Sequence, residues 1–79
     1  FATVRHRLIS WILRQAQSEG ATFVLSASHQ DLAGQIGTVR ELVSRNLARL
    51  QAQGFITMDG RELTVLDADG LEAELASMM

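Results

Sequence analysis

The sequence predicts a mainly α domain carrying one small β-hairpin. Three observations carry that reading. Apolar residues recur every three or four positions over long stretches, as the buried stripe of a helix requires. Gly20, Gly37 and Gly54 stand where those stretches stop, in the place of helix C-terminal glycines. Asp59-Gly60 lies between two β-prone runs, a strong short-range hairpin signal.

The first helix is expected from Val4 to Glu19. Val4, Leu8, Ile9, Trp11, Ile12 and Ala16 form its apolar face, which places Trp11 in the core. Phe23-Val24-Leu25 reads as a brief strand, broken by Ser26-Ala27-Ser28. Ser28 then caps a second helix, with Asp31 three residues on as in a capping box, Asp standing for Glu. Leu32, Ala33 and Ile36 face inward, and Gly37 ends it. The third helix starts near Thr38 or Val39 and runs to Gln53, about residues 39–53. In the hairpin Ile56 and Met58 alternate on one strand, Leu63, Val65 and Leu66 lie on the other, and Arg61 sits next to the tip. Asp67 caps a short last helix with Leu71, Leu75 and Met78 on one side. Repeats, low-complexity tracts and proline-rich linkers are absent.

Seventy-nine residues make one small domain of modest stability. An apolar content of 47% suffices for one core. With no cysteine, disulfides, thiolate metal sites and thiol nucleophiles are excluded. No apolar run approaches the roughly 20 residues of a membrane helix, so no membrane partner is expected. The opening residues FATVRHR lack signal-peptide character and an initiator Met. A fragment of a longer, cytoplasmic protein is the expectation.

The net charge of -2 argues at first against nucleic acid. Its distribution argues the other way. Residues 1–58 carry six Arg against Glu19, Asp31 and Glu41, a balance of +3. Residues 59–79 carry Asp59, Glu62, Asp67, Asp69, Glu72 and Glu74 against Arg61, a balance of -5. All seven basic residues are Arg, which suits bidentate contact with phosphate and guanine. A GC-rich genome favouring Arg codons would explain the same bias.

The third helix carries the functional signal. On a wheel of about 100° per residue, Arg40, Ser44, Ala48, Glu41 and Arg45 fall within roughly 140°. Leu42, Leu50, Val43 and Leu47 fill the opposite arc, where Asn46 also falls. Arg can take guanine O6 and N7 together, and Glu can accept from the cytosine amino group. Ala48 keeps the polar face flat. A helix N-terminus favours phosphate, and the first helix of such a pair crosses the DNA backbone. His29 and Gln30 are therefore phosphate candidates. A plain solvated face, with Glu41 and Arg45 as an ordinary i, i+4 ion pair, is the bland alternative. The glycine turn, the flanking helix and the following hairpin favour a winged helix-turn-helix: a three-helix core, a β wing and a short C-terminal helix.

The stretch QDLAGQIGTVRELVSRNLARLQAQGFITMDGRELTVLD closely resembles the C-terminal DNA-binding domain of Crp/Fnr bacterial transcription regulators. The shared pattern is D-L-A, I-G-T, R-E-x-V-S-R, L-x-x-L, G-F-I and D-G-R. It is strong over residues 28–66 and compatible over most of 4–76. The resemblance implies base readout in the major groove by Arg40, Glu41, Ser44 and Arg45. It implies backbone contacts near Ser28, His29, Thr38, Val39 and, from the wing, Arg61. It also implies a β-roll sensor domain and a dimerisation helix preceding Phe1. The expected partners are a palindromic DNA operator, a second copy of the full-length protein, and RNA polymerase. Val39 departs from the Ser or Thr common at that position, leaving Thr38 as the nearest hydroxyl. Asn46 departs from an apolar norm, and a bond to a neighbouring turn or a seat at the arc's edge would both fit.

No cofactor is expected in this stretch, and the effector of a sensor domain is not legible. His6 and His29 lack partners at metal-ligand spacing. Asp67-Ala-Asp69-Gly70 looks faintly like a calcium loop but lacks its later ligands. No catalytic constellation can be built, so an enzyme is not expected. The rival reading is a winged helix that binds protein through its acidic C-terminal segment. A further one is a winged-helix regulator that senses its ligand within the same domain.

Overall fold

A computed structural model describes residues 3–77. Thr3 caps helix α1 (Val4–Glu19), its hydroxyl accepting the His6 N–H at 3.1 Å. Gly20 ends α1 at φ 98°, where a side chain would be strained. Strand β1 (Thr22–Val24) follows, then α2 (His29–Ile36) and α3 (Arg40–Ala52). The hairpin is β2 (Ile56–Asp59) and β3 (Glu62–Val65), and α4 (Ala68–Ser77) closes the order. The helices fall where the sequence places them.

The core is one cluster. Leu8, Ile9 and Ile12 of α1 meet Leu32 of α2, Val43, Leu47 and Leu50 of α3, Ile56 and Leu63 of the hairpin, and Leu71 of α4. Each α-helix thus buries one stripe against the others, and the sheet closes one side. One bond set ties the periphery. Arg5 of α1 donates from one nitrogen to Gln53 Oε1 at 2.8 Å and to Glu74 Oε1 at 2.9 Å. The ion pair is part-exposed, so its contribution is small.

Several expectations change. The hairpin gains a third strand: β1 pairs antiparallel with β3, giving a sheet of order β1-β3-β2. The expected strand at Phe23–Leu25 begins one residue earlier. Phe23 points in and Val24 out, as strand alternation demands. Leu25 lies beyond the strand, is buried, and donates its N–H to Arg61 O at 2.8 Å. The hairpin loop is Gly60-Arg61 rather than Asp59-Gly60, because Asp59 pairs with Glu62. Gly60 takes φ 62° at the first loop position, as a type II′ turn asks. Arg61 is therefore at the tip itself.

Trp11 is half-buried rather than core. Its ring meets Phe23 edge-on at 6.3 Å and its indole N–H donates to Gln35 Oε1 at 3.2 Å. Leu42 lies at the edge of the apolar arc and is half-buried, and Leu66 is exposed. Asn46 is half-buried and donates its side-chain amide to Leu42 O, one turn back, at 2.8 Å. That bond satisfies it within its own helix. Met78 and Phe1 lie outside the described residues.

Asp67 caps α4 by accepting the Gly70 N–H at 2.9 Å. A Cβ on Gly70 would sit 2.8 Å from Phe55 Cε1 and against the Asp67 carboxylate. Overpacking costs about 1–3 kcal/mol, while Ala in a helix recovers about 1 kcal/mol over Gly. Gly70→Ala should therefore lose about 1 kcal/mol in a denaturant titration. A stabilised variant would show that the cap does not need the glycine.

Candidate nucleic-acid interface

Three pieces of chain converge on one surface. The first is the start of α2. Ser28 Oγ accepts the Asp31 N–H at 3.1 Å, and the Asp31 carboxylate accepts the Ser28 N–H at 3.4 Å. This reciprocal capping box fixes the direction in which α2 leaves the loop. The Ser28 hydroxyl hydrogen stays free to donate. The second piece is the turn. Gly37 adopts the left-handed conformation at φ 75°, ψ 44°, which Gly takes without steric cost. The Thr38 N–H returns to Ala33 O at 2.8 Å. The turn sets α3 across α2, and Leu32, Ala33 and Ile36 pack beneath it with Val43, Leu47 and Leu50. The third piece is the wing tip, held by the Leu25–Arg61 backbone bond.

Between them lies an open cleft of about 690 Å³. Ser28, His29 and Gln30 line it from α2, Arg40, Glu41, Ser44 and Arg45 from α3, and Arg61 from the wing. Every residue expected from the sequence to touch DNA is brought together here except Thr38 and Val39. Those two sit at the turn beside it, Thr38 half-buried and Val39 60% exposed. Ala27 also lines the cleft; nothing in its sequence context marks it.

The cleft is positive. Arg40, Arg45 and Arg61 face one carboxylate, Glu41. Among the described residues the ion pair is Arg5–Glu74, and Glu41 forms none with Arg45. The bland reading of those two as an i, i+4 pair does not hold in this geometry. Arg40, Glu41, Arg45 and Arg61 make no side-chain hydrogen bonds within the described chain, so their donors and acceptors face outward. Val39 caps α3 with no side-chain hydrogen bond. The first amides of α3 are left without side-chain partners, and orphan amides at a helix start favour an anion.

One contact was not legible from the sequence. His29 Nδ1 lies 2.7 Å from Ser44 Oγ, joining the start of α2 to the middle of the polar face of α3. A chain pattern cannot show it, since the turn that brings the two together sets their distance.

An α2-turn-α3 unit backed by a core and flanked by an antiparallel hairpin defines a winged helix-turn-helix domain. The model of the Crp-like helix-turn-helix domain matches residues 6–74, and the chain belongs to that family of DNA-binding transcription regulators. The transcriptional regulator SdrP of Thermus thermophilus is 38% identical over 61 residues, covering 77% of this chain and 30% of that protein. The catabolite activator protein of Thermus thermophilus superposes with a TM-score of 0.80 at 28% identity, over 96% of this chain and 35% of that one. FixK2 of Bradyrhizobium japonicum superposes at 0.85 over 90% of this chain and 37% of that one. Its 24% identity speaks to the fold alone. The chain thus spans about a third of the length of each relative. Among the described residues no helix is long and apolar enough to cross a membrane.

Proposed function

We propose that this chain reads the sequence of double-stranded DNA, with α3 in the major groove. The observation that carries the reading is the cleft that joins the α2 start, the polar face of α3 and the wing tip. A helix with side chains is about 10–12 Å across and the major groove about 12 Å wide. Arg40 and Arg45 take guanine edges, Glu41 accepts from cytosine, and Ser44 bonds a base. Ser28, His29, Gln30 and the turn at Thr38 and Val39 lie along the phosphates, with Arg61 reaching the adjacent backbone. The regulator acts in the cytoplasm as a homodimer on a palindromic operator, its half-sites about one helical turn apart. RNA polymerase is its partner at the promoter.

Selection of bound duplexes from a random pool tests this. Enrichment of G·C-containing half-sites is expected. Absence of salt-dependent binding to any duplex would favour a protein-binding module instead. For the wing, Arg61→Ala should weaken binding uniformly across sequences and reduce the salt slope by about one. A loss confined to one sequence would contradict a phosphate contact.

A further inference from the structure

We propose that His29 is a positioning residue that controls, through its protonation, which way Ser44 presents its hydroxyl to DNA. The inference rests on the DNA-reading function above and makes base choice at one position depend on pH. Its ground is the 2.7 Å contact between His29 Nδ1 and Ser44 Oγ inside the cleft. Ser44 is exposed and His29 half-buried, so the ring contacts a side chain that remains open to solvent.

The chemistry of the pair has few states. A hydroxyl has one hydrogen to donate and two lone pairs. When Nδ1 is bare, it accepts the Ser44 hydrogen, and only lone pairs are left to face a base. When Nδ1 carries a hydrogen, Ser44 accepts it, and the hydroxyl hydrogen turns outward. A neutral imidazole has both tautomers to choose from. The imidazolium has only the second arrangement, because both ring nitrogens donate. Histidine is the side chain that changes charge between about pH 5 and 8.

Acidification therefore converts Ser44 from a group of either polarity to an outward donor. Guanine O6 and N7, adenine N7 and thymine O4 are acceptors in the major groove, whereas cytosine offers an amino donor. Beside the imidazolium, Ser44 favours the first set and disfavours cytosine. A second effect runs beside it. The charged ring adds one cation to a cleft already lined by Arg40, Arg45 and Arg61 against Glu41, which tightens phosphate contact without regard to sequence. Asp31, the carboxylate on α2 nearest in sequence, is held in the capping box with Ser28. The two effects separate cleanly: one changes base preference, the other only affinity.

The test is selection from a random duplex pool at about pH 6 and about pH 8, with the chain, His29→Asn and Ser44→Ala. Asn keeps a hydrogen-bonding group near Nδ1 and does not titrate. The Ser44→Ala comparison identifies the base position that Ser44 faces. At that position the chain should disfavour cytosine about fivefold more at the acid pH, a typical coupling. Both variants should show no such change. The same change in His29→Asn would overturn the proposal. So would a uniform tightening that His29→Asn abolishes while base preference holds constant, since that is a phosphate contact alone. A DNA-free reading keeps the two proposals distinct. Nitrogen resonances of the His29 ring should show an altered tautomer balance in Ser44→Ala. An unaltered balance overturns the His29 role even where duplex binding is intact. No enrichment at either pH overturns the DNA-reading function, and the pH-dependent choice falls with it.

Discussion

Leu47→Ala should cost the domain about 2–5 kcal/mol, the range for removing a buried leucine side chain. Leu47 is 2% exposed on the back of α3, in the cluster with Leu8, Ile12, Leu32 and Leu63. The lost methyl groups leave a cavity under the middle of the helix that carries the polar face. A domain of this size has about 5–15 kcal/mol in total, with the small ones near the low end. The melting temperature should fall by about 10 °C or more. Thermal denaturation followed by circular dichroism checks it. A loss under about 1 kcal/mol would mean that the site collapses around the vacancy, against the usual behaviour of close-packed interiors.

Arg45→Ala should lower binding to a selected operator half-site by about 1–3 kcal/mol. Arg45 lines the cleft, is exposed, and makes no ion pair or side-chain hydrogen bond among the described residues. Its removal therefore leaves no orphaned partner in the protein, and stability should stay within the about 0.5 kcal/mol typical of surface changes. Competition titrations of a selected duplex and a random one distinguish the roles. Loss on the selected duplex should exceed loss on the random one, because a guanine contact carries sequence information and a phosphate contact does not. Equal loss on both would reduce Arg45 to an electrostatic contact.

The helices were legible because their ends are set by local chemistry. Ser28 and Asp31 hold each other three residues apart, and Gly37 turns the chain by its own conformational freedom. The polar face of α3 was legible for the same reason, since helical spacing alone sorts Arg40, Glu41, Ser44 and Arg45 from Val43, Leu47 and Leu50. The sheet was not. Thr22 and Thr64, whose hydroxyls meet at 3.1 Å, are 42 residues apart in sequence. No local pattern announces that Phe23 will lie opposite Leu63. The hairpin loop shows a finer limit. Asp59-Gly60 and Gly60-Arg61 are both credible two-residue loops. Pairing chooses the second, because it sets Met58 opposite Leu63 and Ile56 opposite Val65, whereas the first would set Met58 opposite the charged Arg61. Asn46 was open between two seats until its bond to the Leu42 carbonyl settled the matter.

The pairing of β1 with β3 has a consequence for how the molecule assembles. The chain between those strands contains α2, the turn and α3 in full. Closing the sheet therefore closes a loop around the whole helix-turn-helix unit. Contacts between neighbours in sequence form early, and pairings across long separations wait for loop closure. The two helices are expected to dock first and β1 to meet β3 afterwards. The Leu25 N–H bond to the Arg61 carbonyl belongs to that last step, so the wing tip is expected to reach its final place with it. Arg61 is thus expected to become fixed only when a strand far upstream of it has docked.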